Sequence, residues 1–131
     1  MAKRMIDTDM WFDSQIVDSF SKNDIYLWLY ILTSPRTNIC GVLKNGKTMM
    51  CMENKMTKEE LEQSLYNLES VHNVIKYNKE NDEILILKWY KHNWTKSSKL
   101  IDCLRKQLPK VKTEEFKQHI ENKISIMESL K

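Results

Sequence analysis

The chain has 131 residues, of which 41% are apolar and 30% charged, with a formal net charge of +3. That apolar share can build a core, so a disordered chain is excluded, and the length suits one domain with room for an appendage. No run approaches the roughly 20 apolar residues of a membrane-spanning helix, and the opening Met-Ala-Lys-Arg-Met-Ile-Asp lacks the apolar stretch of a secretory signal.

The first predicted element is a short helical turn near Asp13–Phe20, within a stretch that also carries Met5, Ile6, Met10, Trp11, Phe12, Ile16 and Val17. These side chains are expected to dock on the domain's own core, with a subunit contact as the alternative. Ser21–Thr33 is the clearest helix: Ser21 can cap it, and Asp24 stands at the third helical position. Ile25, Leu27, Trp28, Leu29, Ile31 and Leu32 make it apolar on nearly every side, as befits a central buried helix, and Pro35 stops it. A small strand is expected within Thr37–Leu43, a turn at Asn45-Gly46, and a short helix over Thr48–Lys55 whose Met49, Met50 and Met52, with Met56 beyond, fill core space.

Met56–Leu87 reads as a helix followed by two strands. Thr57 and Glu60 form a capping box, and Leu61, Leu65 and Leu68 repeat at helical spacing on one face. Val74–Tyr77 and Glu83–Leu87 are strands joined by the polar tip Asn78–Asp82. A basic helix over Leu100–Leu108 follows, ended by Pro109. Thr113 caps a last helix with Glu114 and Glu115 in its first turn and an apolar stripe of Phe116, Ile120, Ile124 and Met127, free to dock on the domain or on another chain. The predicted fold is mainly α with a small β-ribbon: a winged helix-turn-helix with an N-terminal arm over residues 1–95, and a C-terminal helical extension over 96–131 leading toward a further domain.

Charge is unevenly distributed. Residues 88–112 hold eight basic side chains against Asp102 alone, net +7, so the remaining residues sum to −4. Such a segment is an electrostatic footprint for an anionic partner. In a winged helix the second helix of the turn motif enters the major groove; here that is Thr57–Glu69, from which Lys58, Gln63, Tyr66 and Asn67 reach outward. Gln63 and Asn67 can read adenine edges and Tyr66 can reach phosphate. Opposing them, residues 53–70 hold five acids against two lysines, net −3, which makes a solvated structural face an equal alternative. Lys44 and Lys47 before the short helix, and Lys76 and Lys79 on the wing, are further backbone-contact candidates. Lys91, Lys96 and Lys99 are the strongest, with Trp89, Tyr90 and Trp94 interleaved; those rings either cap the core or stack on bases, and packing is the expected use.

Catalysis finds no support: the chain has only Gly41 and Gly46, and it lacks an H-E-x-x-H, a nucleophile elbow and a carboxylate cluster. Cys40, Cys51 and Cys103 are odd in number, widely spaced and without a C-x-x-C pair, and His72, His92 and His119 share no ligand spacing with them. They are expected as reduced, mostly buried thiols, with no metal and no cofactor.

The opening Ala-Lys-Arg-Met-Ile-Asp, the wing strand Glu-Ile-Leu-Ile-Leu and the run Leu87-Lys-Trp-Tyr-Lys-His-Asn-Trp94 together resemble the N-terminal domain of phage replication initiators, the replisome organizers of phages of Gram-positive bacteria. That domain is in turn similar to the N-terminal part of DnaD-type primosome proteins. The likeness spans roughly residues 1–100. It implies a winged helix that binds origin DNA and helps recruit the host helicase loader. Separately, the apolar stripes at both termini lead us to expect a homo-oligomer, the cysteines suit the cytoplasm of a bacterial host, and no membrane partner is expected. The alternatives are a protein-interaction or oligomerisation module on the same fold and a transcriptional regulator.

Overall fold

The computed structural model describes residues 3–95 and 97–129. In chain order the elements are a 3-10 turn (Thr8–Phe12), α1 (Ser14–Ser19), α2 (Lys22–Thr33), β1 (Val42–Lys44), α3 (Lys47–Asn54), α4 (Lys58–Tyr66), β2 (Ile75–Asn78), β3 (Glu83–Ile86), α5 (Trp89–Asn93), α6 (Ser98–Gln107) and α7 (Glu114–Ser129). The chain is therefore mainly helical with one small antiparallel sheet. The expected ribbon of β2 and β3 is present, and it is extended: β1 also pairs with β3, giving the order β1-β3-β2.

Local chemistry accounts for the helix starts. Asp13 accepts from the Gln15 N–H and opens α1. Ser21 and Asp24 exchange side-chain and backbone bonds, both 3.1 Å, and Thr57 and Glu60 do the same at 3.1 and 2.9 Å. Each reciprocal pair satisfies two amide donors that a helix start otherwise leaves open. Beyond α4 the chain continues as a wider π turn over Asn67–Val71, where the His72 N–H bonds the Asn67 carbonyl. Thr113 stands at the start of α7, where its carbonyl accepts the first amides, while its hydroxyl turns aside to Glu83.

The sheet separates two apolar layers. Leu43, Ile75, Ile84 and Ile86 join Leu27 and Ile31 of α2, Met50 of α3, and Leu61, Leu65 and Leu68 of the α4 region. Val42 and Leu85 face the other way, onto Ile101 and Leu104 of α6 and Phe116, Ile120 and Ile124 of α7. Burying each such Leu, Ile or Phe contributes about 1.5–3 kcal/mol. The stripe on α7 thus docks on its own chain, and the second layer draws on residues from both sides of position 95.

Some expected core positions lie elsewhere. Met50 and Met56 are buried, but Met49 and Met52 face solvent, because an eight-residue helix lying on α4 has one inward face only. Ile16 and Phe20 dock as expected, whereas Met5, Trp11, Phe12 and Val17 are exposed. Cys40 is buried, Cys51 half-buried and Cys103 exposed.

Two tryptophans tie the end of the sheet to the loop before β1. The Trp89 and Trp94 indole N–H groups both donate to the Ile39 carbonyl, each at 2.9 Å. Gly41, at φ +85°, lies beneath Trp89; a Cβ there would sit 2.5 Å from the indole Cγ. Both the backbone angle and the contact require glycine.

Candidate nucleic-acid interface

The outward face of α4 carries Lys58, Glu59, Glu62, Gln63 and Tyr66, all exposed. The amide of Asn67, half-buried at the end of that face, is held inside: its Nδ2 donates to both carboxylate oxygens of Asp24, at 3.2 and 3.3 Å, and its Oδ1 accepts from Gln63. Asp24 also meets His72 Nε2 at 3.2 Å. An ionised carboxylate can only accept, so that ring nitrogen carries the proton. His72 in turn stacks on Phe20, with ring centroids 4.0 Å apart, and its carbonyl accepts from Gln15. Burial would raise the Asp24 carboxyl, but bonds from the Ser21 amide, Asn67, His72 and Ser64 outweigh it and hold the group below its ordinary value. This cluster joins α1, α2 and the α4 region, and it fixes how α4 is presented. Asn67 therefore positions Gln63 and does not offer its own amide to a base edge.

The acidic excess of this region is largely engaged by neighbours. Glu53 accepts from Nε and Nη2 of Arg36, at 3.2 and 3.1 Å, from Tyr30 at 2.6 Å and from Asn45 at 3.1 Å. The Arg36 and Tyr30 bonds lower its carboxyl from the ordinary value. Glu60 serves the cap, and Glu69 accepts from the Tyr77 amide at 2.8 Å. Glu62 pairs with Lys47 at 3.2 Å and with Lys58 at 4.0 Å. The same contacts draw Lys47 and Lys58 toward the protein's own carboxylate.

Strand register places the remaining sheet lysines. Lys44 lies opposite Glu83 and Lys76 opposite Leu85, so both stand on the face that α6 and α7 cover, exposed at its two edges. Lys79 is exposed at the ribbon tip. Glu83, 1% exposed, occupies the middle of that face and accepts from the Lys112 and Thr113 amides at 2.9 and 2.8 Å and from the Thr113 hydroxyl at 2.6 Å. It is a fixed part of the scaffold and does not oppose a ligand at the ribbon.

The basic stretch divides in three. Arg105 reaches across to Glu121 and Glu128 of α7. Lys88 lines a cleft beside the N-terminal arm. Lys91 on α5, Lys99 and Lys106 on the outer face of α6, and Lys110 and Lys112 beyond it are exposed. Among the described residues, none of these five has a carboxylate within ion-pair distance. Lys96 lies outside the described residues. Of the interleaved rings, Trp89 is buried with Arg4 over its face, Trp94 is half-buried, and Tyr90 is covered by Lys123, whose Nζ is 4.6 Å from the ring centroid. Packing is indeed what those rings do.

A second feature lies at the arm. A cleft of about 360 Å³ is lined by the apolar Trp28, Leu32, Ile86 and Trp89, by Asp7, Asp9 and Asp13, and by Lys88 and His92. The sequence offered its ingredients but no sign of the cavity, because the walls come from four separate segments. Among the described residues there is no group of three or more His, Cys, Asp or Glu that could hold a metal ion. No family model matches this chain, and neither the curated proteins nor the solved structures contain a match.

Proposed function

We propose that this chain is a DNA-binding domain of a phage or prophage replication initiation protein, a winged helix-turn-helix that contacts origin DNA. The observation that carries the reading is the set of exposed lysines on α5, α6 and the turn before α7 that lack an acidic partner among the described residues. Lysines free of internal pairs are available to replace the counterions of a phosphate backbone. The element order adds support: α3, a three-residue turn, α4 and a β2–β3 ribbon follow one another as in helix-turn-helix domains with a wing. On this reading Gln63 and Tyr66 face the groove, Lys79 meets backbone from the ribbon tip, and the lysines after the ribbon meet backbone further along. The run Leu87–Trp94, which carries the family resemblance, is a fold-determining lock; it speaks for a shared architecture more than for contacts to DNA.

Binding of labelled duplex pools, followed by fluorescence anisotropy across 50–200 mM salt, tests the proposal. A handful of phosphate contacts gives a log–log slope of about −3 to −6. Lys91→Glu and Lys99→Glu weaken binding to all sequences alike, whereas Gln63→Ala changes the preference among sequences. No binding at low salt removes the reading. A transcriptional regulator would give the same data, and the genomic position of the bound site separates the two.

One observation favours a second reading, a protein-interaction module. The arm exposes Met5, Trp11, Phe12 and Val17, with Phe12 86% and Trp11 53% accessible. Apolar groups gathered beside a cleft mark protein contacts, and in an initiator a helicase loader or a second copy would be the partner. Sedimentation of the wild type against Phe12→Ser decides whether the arm self-associates.

A further inference from the structure

Residues 5–20 hold Asp7, Asp9, Asp13 and Asp18 and no basic side chain, a net −4 on a chain whose total is +3. All four are exposed, and among the described residues none has a cation within ion-pair distance. Asp7 and Asp13 cap the 3-10 turn and α1, whereas Asp9 and Asp18 take no part in either cap. Met5, Trp11, Phe12 and Val17 stand exposed among these carboxylates. The cleft that the arm borders continues the same character. Trp28, Leu32 and Ile86 give it an apolar wall. Its titratable lining is Asp7, Asp9 and Asp13 with Lys88 and His92, so the carboxylates outnumber the lysine three to one.

Exposed apolar groups set among uncompensated carboxylates fit a partner that brings both apolar anchors and cations. A second copy of this chain matches poorly. Two arms paired about a two-fold axis would set four carboxylates against four, and like charges in contact cost affinity. The basic helix α6 offers lysines, but its apolar side is already spent: Ile101 and Leu104 are buried in the second layer. We propose that the arm and its cleft dock a cationic amphipathic segment of another protein. Its apolar side chains meet Phe12 and the cleft wall, and its Lys or Arg side chains meet the arm's aspartates. This rests on the protein-interaction reading above and names the chemistry of the partner.

The probe is a fluorescein-labelled peptide, Leu-Lys-Lys-Leu-Leu-Lys-Leu written twice, titrated with the full chain and read by anisotropy. Two control peptides of the same length replace every Lys by Glu or every Leu by Ser. The expected result is binding of the Leu-Lys peptide about tenfold tighter than that of either control. Phe12→Ser weakens it about tenfold, as loss of a central anchor does. Asp9→Asn combined with Asp18→Asn weakens it several-fold and flattens its salt dependence. These three side chains are exposed and cap no helix, and circular dichroism checks that the variants stay folded. The inference falls if the Leu-Lys peptide does not bind, if either control binds as tightly, or if the variants leave its affinity where it was. Sedimentation of the chain alone separates this from the reading it rests on. A wild type that binds no peptide but self-associates through Phe12 keeps the interaction reading, gives the surface to a second copy and overturns the inference. A monomer that binds no peptide overturns the inference and leaves the interaction reading without support.

Discussion

Removing the Glu83 carboxylate tests how the C-terminal helices are held to the sheet. This side chain is 1% exposed and accepts three bonds, from the amides of Lys112 and Thr113 and from the Thr113 hydroxyl. Glu83→Ala leaves those donors facing apolar surface. The cost of an unsatisfied buried donor is about 1–3 kcal/mol. The Thr113 hydroxyl can rotate and the Lys112 amide lies nearer to water, so a total of about 3–5 kcal/mol is expected. Glu83→Gln keeps one acceptor oxygen and turns an NH₂ toward the donors, for a loss of roughly 1–3 kcal/mol. Urea unfolding followed by circular dichroism measures both. At this chain length each kcal/mol lowers Tm by about 3–4 °C, so Glu83→Ala melts roughly 9–20 °C below the wild type. A loss under about 1 kcal/mol for Glu83→Ala refutes the reasoning, since it would mean that water reaches the site or that α7 starts without this anchor.

Three other outcomes follow from the same kind of accounting. Gly41→Ala forces a side chain onto a backbone at φ +85° and into Trp89, costing about 2–5 kcal/mol in urea unfolding; a loss below about 1 kcal/mol would mean that the indole shifts freely. Asp24 has a carboxyl lowered in the folded state, so its contribution is present above the ordinary carboxylate value near pH ~4 and is lost as the pH falls through the folded value; Asp24→Asn flattens the acid limb of the stability–pH curve, and an unchanged limb contradicts the assignment. Burial pushes the Cys40 thiol up to about 12, while Cys103 is exposed, so a thiol reagent at neutral pH labels Cys103 in the native state and Cys40 only on unfolding; equal labelling rates would overturn this.

Helix starts and stripes were legible because each is written within four residues. Ser21 with Asp24, Thr57 with Glu60, and the Leu61-Leu65-Leu68 row all behave as their spacing dictates. The roles of Asp24 and Glu83 were not, because each is set by a partner far along the chain: His72 lies 48 residues from Asp24, and Thr113 lies 30 from Glu83. In the sequence one looked like a cap and the other like one more acid on a wing. A signal for the second layer was nevertheless present. Glu83-Ile-Leu-Ile-Leu87 is an apolar run without alternation, the mark of a strand covered on both faces. Its centre, Ile84 and Leu85, indeed faces opposite layers. Met49 and Met52 misled for the converse reason, since methionine suits a core gap or an open surface equally well.

The acidity of the α4 region bears less on DNA binding than its sum suggests. Of Glu53, Glu60, Glu62 and Glu69, two are matched by Arg36 and by Lys47 and Lys58, and two accept backbone amides. A paired charge presents a dipole, whose field falls away faster than that of a bare charge. At physiological salt the remaining repulsion is screened within about 8 Å. Glu59 is then the acid on the outward face without such a contact among the described residues, and it neighbours the helix start, where a carboxylate is favourable. The aspartates of the arm are a different matter, because Asp7, Asp9 and Asp13 line the same cleft as Lys88. That lysine is already in the field of the arm, so its removal should leave DNA affinity nearly unchanged, whereas losing Lys91 or Lys99 removes a charge that nothing on the described protein compensates.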